Sequence, residues 1–437
     1  MKISKYNFVF PFDQHYSLVY NALSRSIILL ENKYAREILS GQLANILVDE
    51  ELVKTLKDLY IILDEDIDER ALFKYLTYSL RFSKENLLLF LSLTNRCNLA
   101  CIYCYQSHRP MLEGSDLTIA KWCLMKKFVE RKLQEGSKEI DVALFGGEPL
   151  LNANTARVIL KDLNKLASEH GSRLRVMLVT NGTIIDDVED VISNVDTIQI
   201  TIDGTMEVHD KRRPFKNGAG SFETIFKNTL QFIDKYNKWI VIRVNVDEHN
   251  IDKLVEFVDL LDEHGLRNKI DSIDFSPVIP DQAGKYKPFK GKKTYAQYYI
   301  DILHRIVEII EYASSKGFGT VKNFIIGPCS CRSINGFSID EQLRVYRCPA
   351  LLYEKAEGFI RDNGIIEFKS MHWVKTLVED AQCMFECKYA PLCFGGCIYL
   401  RSRGIPSCVK ALFGENLLRR ILYAYVKSRY RGLMENA

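Results

Sequence analysis

Apolar residues recur along this chain in two alternating rhythms. Short β-branched and aliphatic runs stand at 87–93, 140–145, 176–180, 196–202, 240–246 and 270–279, and read as buried strands. Between them, at 120–135, 153–170, 225–236 and 251–265, apolar positions return every three or four residues, the period of a helix packed on one face. Strand alternating with helix predicts a parallel sheet covered by helices. Six such units make an α/β fold, a partial (β/α)6 TIM-like barrel, in which chemistry sits at the carboxyl ends of the strands.

The rhythm differs before about Phe82. Residues 6–10, 17–21 and 26–30 read as short strands, with 22–25 as the turn between the last two. Helical patterns follow at 33–39 and 50–59, and a third runs from Asp66–Arg70 to about Leu80. Asp66 is expected to cap that helix, with Glu69 completing a capping box. A chain of 437 residues exceeds one core. The expected division is a small α+β unit at 1–82, the barrel at 83–320 and a cysteine-rich unit at 321–437.

Chemistry enters at Cys97, Cys101 and Cys104, a C-x3-C-x2-C run just past the first barrel strand. Four cysteines close a four-iron cube, whereas three leave one iron open to a ligand. A structural zinc site is the competing reading, but it usually takes four ligands as two close pairs. The run resembles the signature of the radical S-adenosylmethionine (SAM) enzymes, and Tyr103, the aromatic before the last cysteine, fits it. The resemblance implies a 4Fe–4S cluster that binds SAM and a deoxyadenosyl radical that takes hydrogen from a substrate.

Further strand ends extend the likeness. The second strand runs into Gly146, Gly147, Glu148 and Pro149. The family carries a GGE motif there, facing the amino group of SAM; glycines permit close backbone approach, and a carboxylate and carbonyls suit an ammonium. Thr180-Asn181-Gly182-Thr183 and Thr201-Ile202-Asp203-Gly204 close the next two strands. By position, Thr201 matches a family residue near the SAM carboxylate and Arg213 the arginine that pairs with it, with Arg212 as its rival. Taken without these motifs, the arginine pair is a solvated turn.

The chain holds 12 cysteines. Cys123 sits on a helical stretch as a small core residue; the other eight are Cys329, Cys331, Cys348, Cys383, Cys387, Cys393, Cys397 and Cys408. This tail is similar to the SPASM extension of peptide-modifying radical SAM enzymes. The likeness implies one auxiliary cluster on Cys348 and Cys397 with Cys329, Cys331 or both, and a second on Cys383, Cys387, Cys393 and Cys408. The chain departs from the family in spacing Cys383 and Cys387 by three residues. It also has Leu343 where a glycine is usual, so a glycine-type turn is not expected there. Zinc remains open for this tail. A disulfide framework is not expected, since residues 1–12 hold no signal-peptide core.

The resemblance implies a maturase that crosslinks or otherwise modifies a ribosomally made peptide, through thioether or carbon–carbon bonds. A sulfatase-type maturase oxidising Cys or Ser is the nearest enzyme alternative, and a silent iron–sulfur scaffold the alternative of another class. The implied partners are a precursor peptide with its leader and an electron donor such as flavodoxin or ferredoxin. The 1–82 unit resembles the PqqD-like element that takes a leader peptide as an added strand, packed against its last helix; a plain cap on the barrel is the other reading. The net charge of +3 is too mild to imply nucleic acid, and no apolar run has the length of a membrane span. The basic stretches at 285–293 and 417–431 read as solvated faces. Oxygen-labile clusters and free thiols point to a reducing cytosol.

Overall fold

The computed structural model describes residues 1–106, 114–236, 238–279, 286–320, 329–370, 372–379 and 381–429. It opens with β1 (Lys2–Ile3), then β2 (Asn7–Pro11), β3 (Tyr16–Asn21) and β4 (Ile27–Glu31). The last three form an antiparallel sheet in that order, leaving β4 at an edge. Helices α1 (Asn32–Ser40) and α2 (Glu50–Asp58) follow, then β5 (Ile62–Leu63), which pairs with β1. Alternation along β3 splits the packing. Val19 joins Leu30, Ala35, Ile38 and Leu56 on the helix-covered face. Phe8, Leu18 and Tyr20 face the other way, against Met384, Tyr389, Phe394 and Leu422 from the far end of the chain.

Helix α3 (Glu69–Phe82) begins later than its charge pattern suggested. Asp68, not Asp66, is the cap: its carboxylate accepts the N–H groups of Arg70 (2.9 Å) and Ala71 (3.0 Å). Glu69 does not reach back as in a capping box. Its oxygens take the Ser4 hydroxyl (2.5 Å) and the Lys5 N–H (3.0 Å), tying α3 to the start of the sheet. The helix behind β4 is α1; α3 packs at the β2 side, with Phe73 on Tyr6.

The central sheet takes β6 (Asn86–Thr94), β7 (Glu139–Gly146), β8 (Arg173–Thr180), β9 (Thr197–Thr201), β10 (Trp239–Val246) and β11 (Ser272–Pro277), all parallel and in chain order. Helices α4 (Ile119–Gln134), α5 (Ala153–Glu169), α6 (Glu189–Ser193), α7 (Met206–Arg212), α8 (Phe222–Lys235), α9 (Leu254–Glu263) and α10 (Tyr295–Ser315) alternate with them. One core of aliphatic residues from both layers fills the space between. Among the described residues β11 does not pair with β6, so the sheet stays open.

The open edge at β6 is taken up by the C-terminal region. Strand β12 (Gly336–Ile339) pairs parallel with β6, and β13 (Arg344–Tyr346), β14 (Gly358–Ile360) and β15 (Ile366–Phe368) continue antiparallel, giving ten strands. Leu343, in the β12–β13 turn, adopts φ of +62°, the left-handed conformation a glycine would take. The expectation of a different turn is therefore overturned. Asp340 enforces it by accepting the N–H groups of Gln342 (2.9 Å) and Arg344 (3.0 Å), while the Leu343 side chain is buried in the main core. Burial offsets a backbone cost of about 1–2 kcal/mol.

Helices α11 (His372–Val378), α12 (Ala390–Cys393), α13 (Ile398–Ser402) and α14 (Val409–Arg429) complete the chain. Of the two basic stretches, Arg420 on α14 pairs with Glu311, and Lys293 with Glu248 and Asp301; Lys285, Tyr430 and Arg431 lie outside the described residues. Among the described residues no helix is long and apolar enough to cross a membrane.

Candidate functional site

The loop after β6 carries Cys97, Cys101 and Cys104. Its base is fixed by Arg96, which holds Asp116 through two bonds, Nε at 2.9 Å and Nη2 at 2.7 Å. Its outer limb is stitched to the end of α7. The Ala100 N–H donates to Pro214 O (2.8 Å), and the Ile102 N–H to Arg212 O (2.9 Å). This stitching brings Arg213 to the three cysteines. Burial pushes the Cys101 thiol up to about 12 and also raises Cys97. Metal binding would therefore have to displace protons that the protein alone retains.

A cavity of about 760 Å³ opens over this loop. Its walls include Cys97, Cys101, Cys104, Tyr103, Gly146, Gly147, Thr201 and Arg213. Ala350 and Tyr353, just past Cys348, form part of the wall as well. Glu148 and Pro149 do not line it. The Glu148 carboxylate is wholly buried and accepts the N–H groups of Leu150 (3.0 Å) and Asn181 (2.7 Å) and the Thr180 hydroxyl (2.9 Å). Burial pushes it up to about 7, against those bonds. The two glycines answer to backbone crowding: a Cβ on Gly146 would sit 2.2 Å from Thr94 O, and one on Gly147 2.2 Å from Arg96 O.

The arginine pair divides sharply. Arg212 is buried between Asp247 (2.8 Å) and Asp203 (3.3 Å), with its guanidinium carbon 5.0 Å from the centre of the Tyr103 ring. Arg213 lines the cavity and donates Nη1 to the Tyr103 hydroxyl (2.8 Å). Its buried Nε has no partner among the described residues. An unpartnered donor on a buried cation beside an open cavity fits a carboxylate ligand. The residues present thus fit a carboxylate-bearing ligand such as SAM, which Arg213 would hold.

Eight of the remaining nine cysteines fall into two groups. Cys383, Cys387, Cys393 and Cys408 line one small cavity of about 150 Å³. The unusual three-residue spacing works because residues 383–387 form one helical turn, the Cys387 N–H meeting Cys383 O at 3.0 Å, which puts both thiols on one side. In the second group the Cys329 and Cys331 sulfurs are 3.3 Å apart, and Cys331 also bonds Cys348. Cys397 is close enough to Cys329 to be raised by it. Cys123 is exposed on α4, not a core residue as its neighbours suggested. Among the described residues no three of His, Cys, Asp and Glu are grouped as ligands of one metal ion. A cube does not require such convergence, because it sets each thiolate on its own iron.

Sequence reading missed Asp203, Asn245 and Tyr353 as parts of the site. Asp203 reads only as a strand-end residue, and nothing local to Asn245 or Tyr353 points to the cavity.

Residues 91–261 match the radical SAM superfamily. The chain is 26% identical over 331 residues to a cysteine-type anaerobic sulfatase-maturating enzyme of Clostridium novyi, spanning 70% of this chain and 85% of that one. Among solved structures it resembles anSMEcpe with bound AdoMet and Cp18Cys peptide, with a TM-score of 0.58 and 20% identity, over 80% of this chain and 99% of that one. It also resembles Streptococcus suis SuiB bound to S-adenosylmethionine, with a TM-score of 0.54 and 13% identity, over 93% and 97%.

Proposed function

For this chain, whose residues 91–261 match the radical SAM superfamily, we propose the role of a maturase that modifies a ribosomally made peptide and would use a 4Fe–4S cluster and SAM. The observation that carries this is the single cavity in which the three-cysteine loop, Thr201 and the half-satisfied Arg213 meet a wall built from the Cys348 loop. A cluster and SAM held there would supply radical chemistry for hydrogen abstraction from the substrate.

The protein's own residues provide placement. Cys97, Cys101 and Cys104 would hold the cluster and leave one iron open. Arg213 would hold the SAM carboxylate with Thr201 beside it, and the Gly146–Gly147 backbone would face the amino group. Cys329, Cys331, Cys348 and Cys397 would hold one auxiliary cluster, and Cys383, Cys387, Cys393 and Cys408 a second. Ala350 and Tyr353, just past Cys348, line the cavity, so a cluster held by that loop would lie near it and would supply electron-accepting capacity.

The sheet formed by residues 7–31 is the proposed leader site. The Asn21 N–H bonds Ser26 O (3.0 Å) and the Asn32 N–H bonds His15 O (2.8 Å). By the alternation of antiparallel ladders, residues 26, 28, 30 and 32 face β3, whereas Ile27, Leu29 and Glu31 turn their backbone groups outward. An added strand would bond there. The fold likeness to SuiB spans 93% of the chain and that to anSMEcpe 80%, so the match to SuiB takes in more of this chain.

The test is reconstitution followed by reductive SAM cleavage. Protein loaded with about twelve irons, three cubes of four, should release deoxyadenosine. Changing Cys97, Cys101 and Cys104 to Ala should remove about four irons and all cleavage. Stoichiometric zinc without cleavage would leave a scaffold in place of an enzyme.

A further inference from the structure

We propose that Tyr103 is a positioning residue for Arg213, holding its guanidinium in the orientation that receives the carboxylate of SAM. The proposal rests on the SAM reading above and adds a role that the aromatic ring alone does not supply.

Tyr103 lines the cavity, yet its hydroxyl is fully committed inside the protein. It donates to Asp203 and accepts Arg213 Nη1 (2.8 Å) and Asn245 Nδ2 (3.1 Å). One proton and two lone pairs are a phenol's whole capacity. No bond is left for a ligand, so the hydroxyl acts through Arg213. Asp203, wholly buried, is itself held by the Asn245 N–H (2.9 Å) and by Arg212 Nε (3.3 Å). The ring is clamped by the Arg212 cation at 5.0 Å and by Tyr286 edge-on at 6.2 Å.

Arg213 is fixed at its base as well. Its N–H donates to His209 O (2.8 Å), and its carbonyl accepts the Ser221 hydroxyl (2.5 Å). The backbone and one Nη are therefore placed, and Nε is the donor left without a partner among the described residues. Phenylalanine at position 103 would keep the ring and its packing but lose the bond that orients the fork. The guanidinium would then spend part of its time turned away from the ligand.

The experiment compares two ligands on the reconstituted enzyme: SAM, and decarboxylated SAM, which keeps the adenosine, sulfonium and amine. Affinities are read by calorimetry, with the EPR signal of the cluster as a check on binding. Tyr103→Phe should weaken SAM about tenfold, the scale of one bond to a charged group, and leave decarboxylated SAM unchanged. On an Arg213→Lys background, which lacks the fork, Tyr103→Phe should cause no further loss. Equal weakening of both ligands, or none for SAM, would overturn the positioning role alone. Wild-type protein that binds neither ligand would overturn the SAM reading and this role with it.

Discussion

Replacing Phe73 tests whether the N-terminal sheet is built into the cysteine-rich region or merely tethered to it. Phe73 is 1% exposed, and its ring stands 5.8 Å from Tyr6, 5.9 Å from Phe385 and 5.6 Å from Phe394. Phe385 and Phe394 flank Cys387 and Cys393, two walls of the four-cysteine cavity. The same loop is gripped by Arg70 on Glu386 (2.7 Å) and by Phe8 against Tyr389, their rings 4.9 Å apart. Phe73→Ala removes a buried ring and leaves a void, a loss of about 3–5 kcal/mol. That loss falls on the contact between the two regions. The variant should melt earlier and lose iron from the 383–408 cavity during gel filtration, while iron on the 97–104 loop and reductive SAM cleavage persist. Deleting residues 1–82 should do the same more severely, because it bares Tyr389, Leu392 and Phe394. Truncation is thus not a clean test of leader binding. Leu29→Pro is cleaner, since it removes an outward-facing donor at the sheet edge and no ladder bond. Full iron content and an unchanged melting curve in Phe73→Ala would refute the claim that the sheet supports the cavity.

Three further outcomes are expected. Arg213→Ala should weaken SAM binding tenfold or more, a loss of about 1.5–3 kcal/mol, whereas Arg212→Ala should instead destabilise the fold by about 3–5 kcal/mol, since it strands two buried carboxylates; calorimetric binding and denaturant titration separate the two. Leu343→Gly relieves the left-handed turn but loses a buried leucine, and should lower stability by about 1–3 kcal/mol in denaturant titration. Glu148 should make stability fall as pH rises from about 4.5 through 7, because the folded state holds the proton more tightly than the unfolded one; the full effect is about 3 kcal/mol, and Glu148→Gln should flatten that slope in melts across pH 5–8.

Periodicity carried most of the fold, because the six parallel strands and their helices bury one face each and the pattern is local. The cysteine groups were legible through the likeness to the SPASM extension, which implied the sets that the chain brings near one another. What was not legible is set at long range. Nothing near β6 announces that β12 will pair with its free edge. Asp68 displaced Asp66 as a cap while Ser4 and Lys5, just past β1, hold Glu69, sixty-five residues from Ser4. Leu343 takes a glycine's conformation because Asp340 and the core outweigh its own preference. Glu148 is expected to face a ligand, yet Thr180 and Asn181 at the end of β8, with the Leu150 N–H, turn it inward.

The division of labour between Arg212 and Arg213 follows from how buried charge is balanced. Asp247 takes Arg212 Nη1 (2.8 Å), the Tyr286 hydroxyl (2.7 Å) and the His249 N–H (2.9 Å). Asp203 takes Tyr103, Arg212 and the Asn245 N–H. Both carboxylates are therefore answered within the protein, and Arg212 is spent between them. Arg213 reaches Asp203 only through the Tyr103 hydroxyl, so it keeps its charge and an unpartnered Nε. Burying that cation is costly, and the cost is met when the chain folds, before any ligand arrives. A carboxylate entering the cavity then gains a charged partner already stripped of water and already aimed, so little ordering is left to be done on binding. An arginine paired as Arg212 is would have to abandon two carboxylates first. One position along the chain decides which of two identical side chains holds the fold and which is left for the ligand.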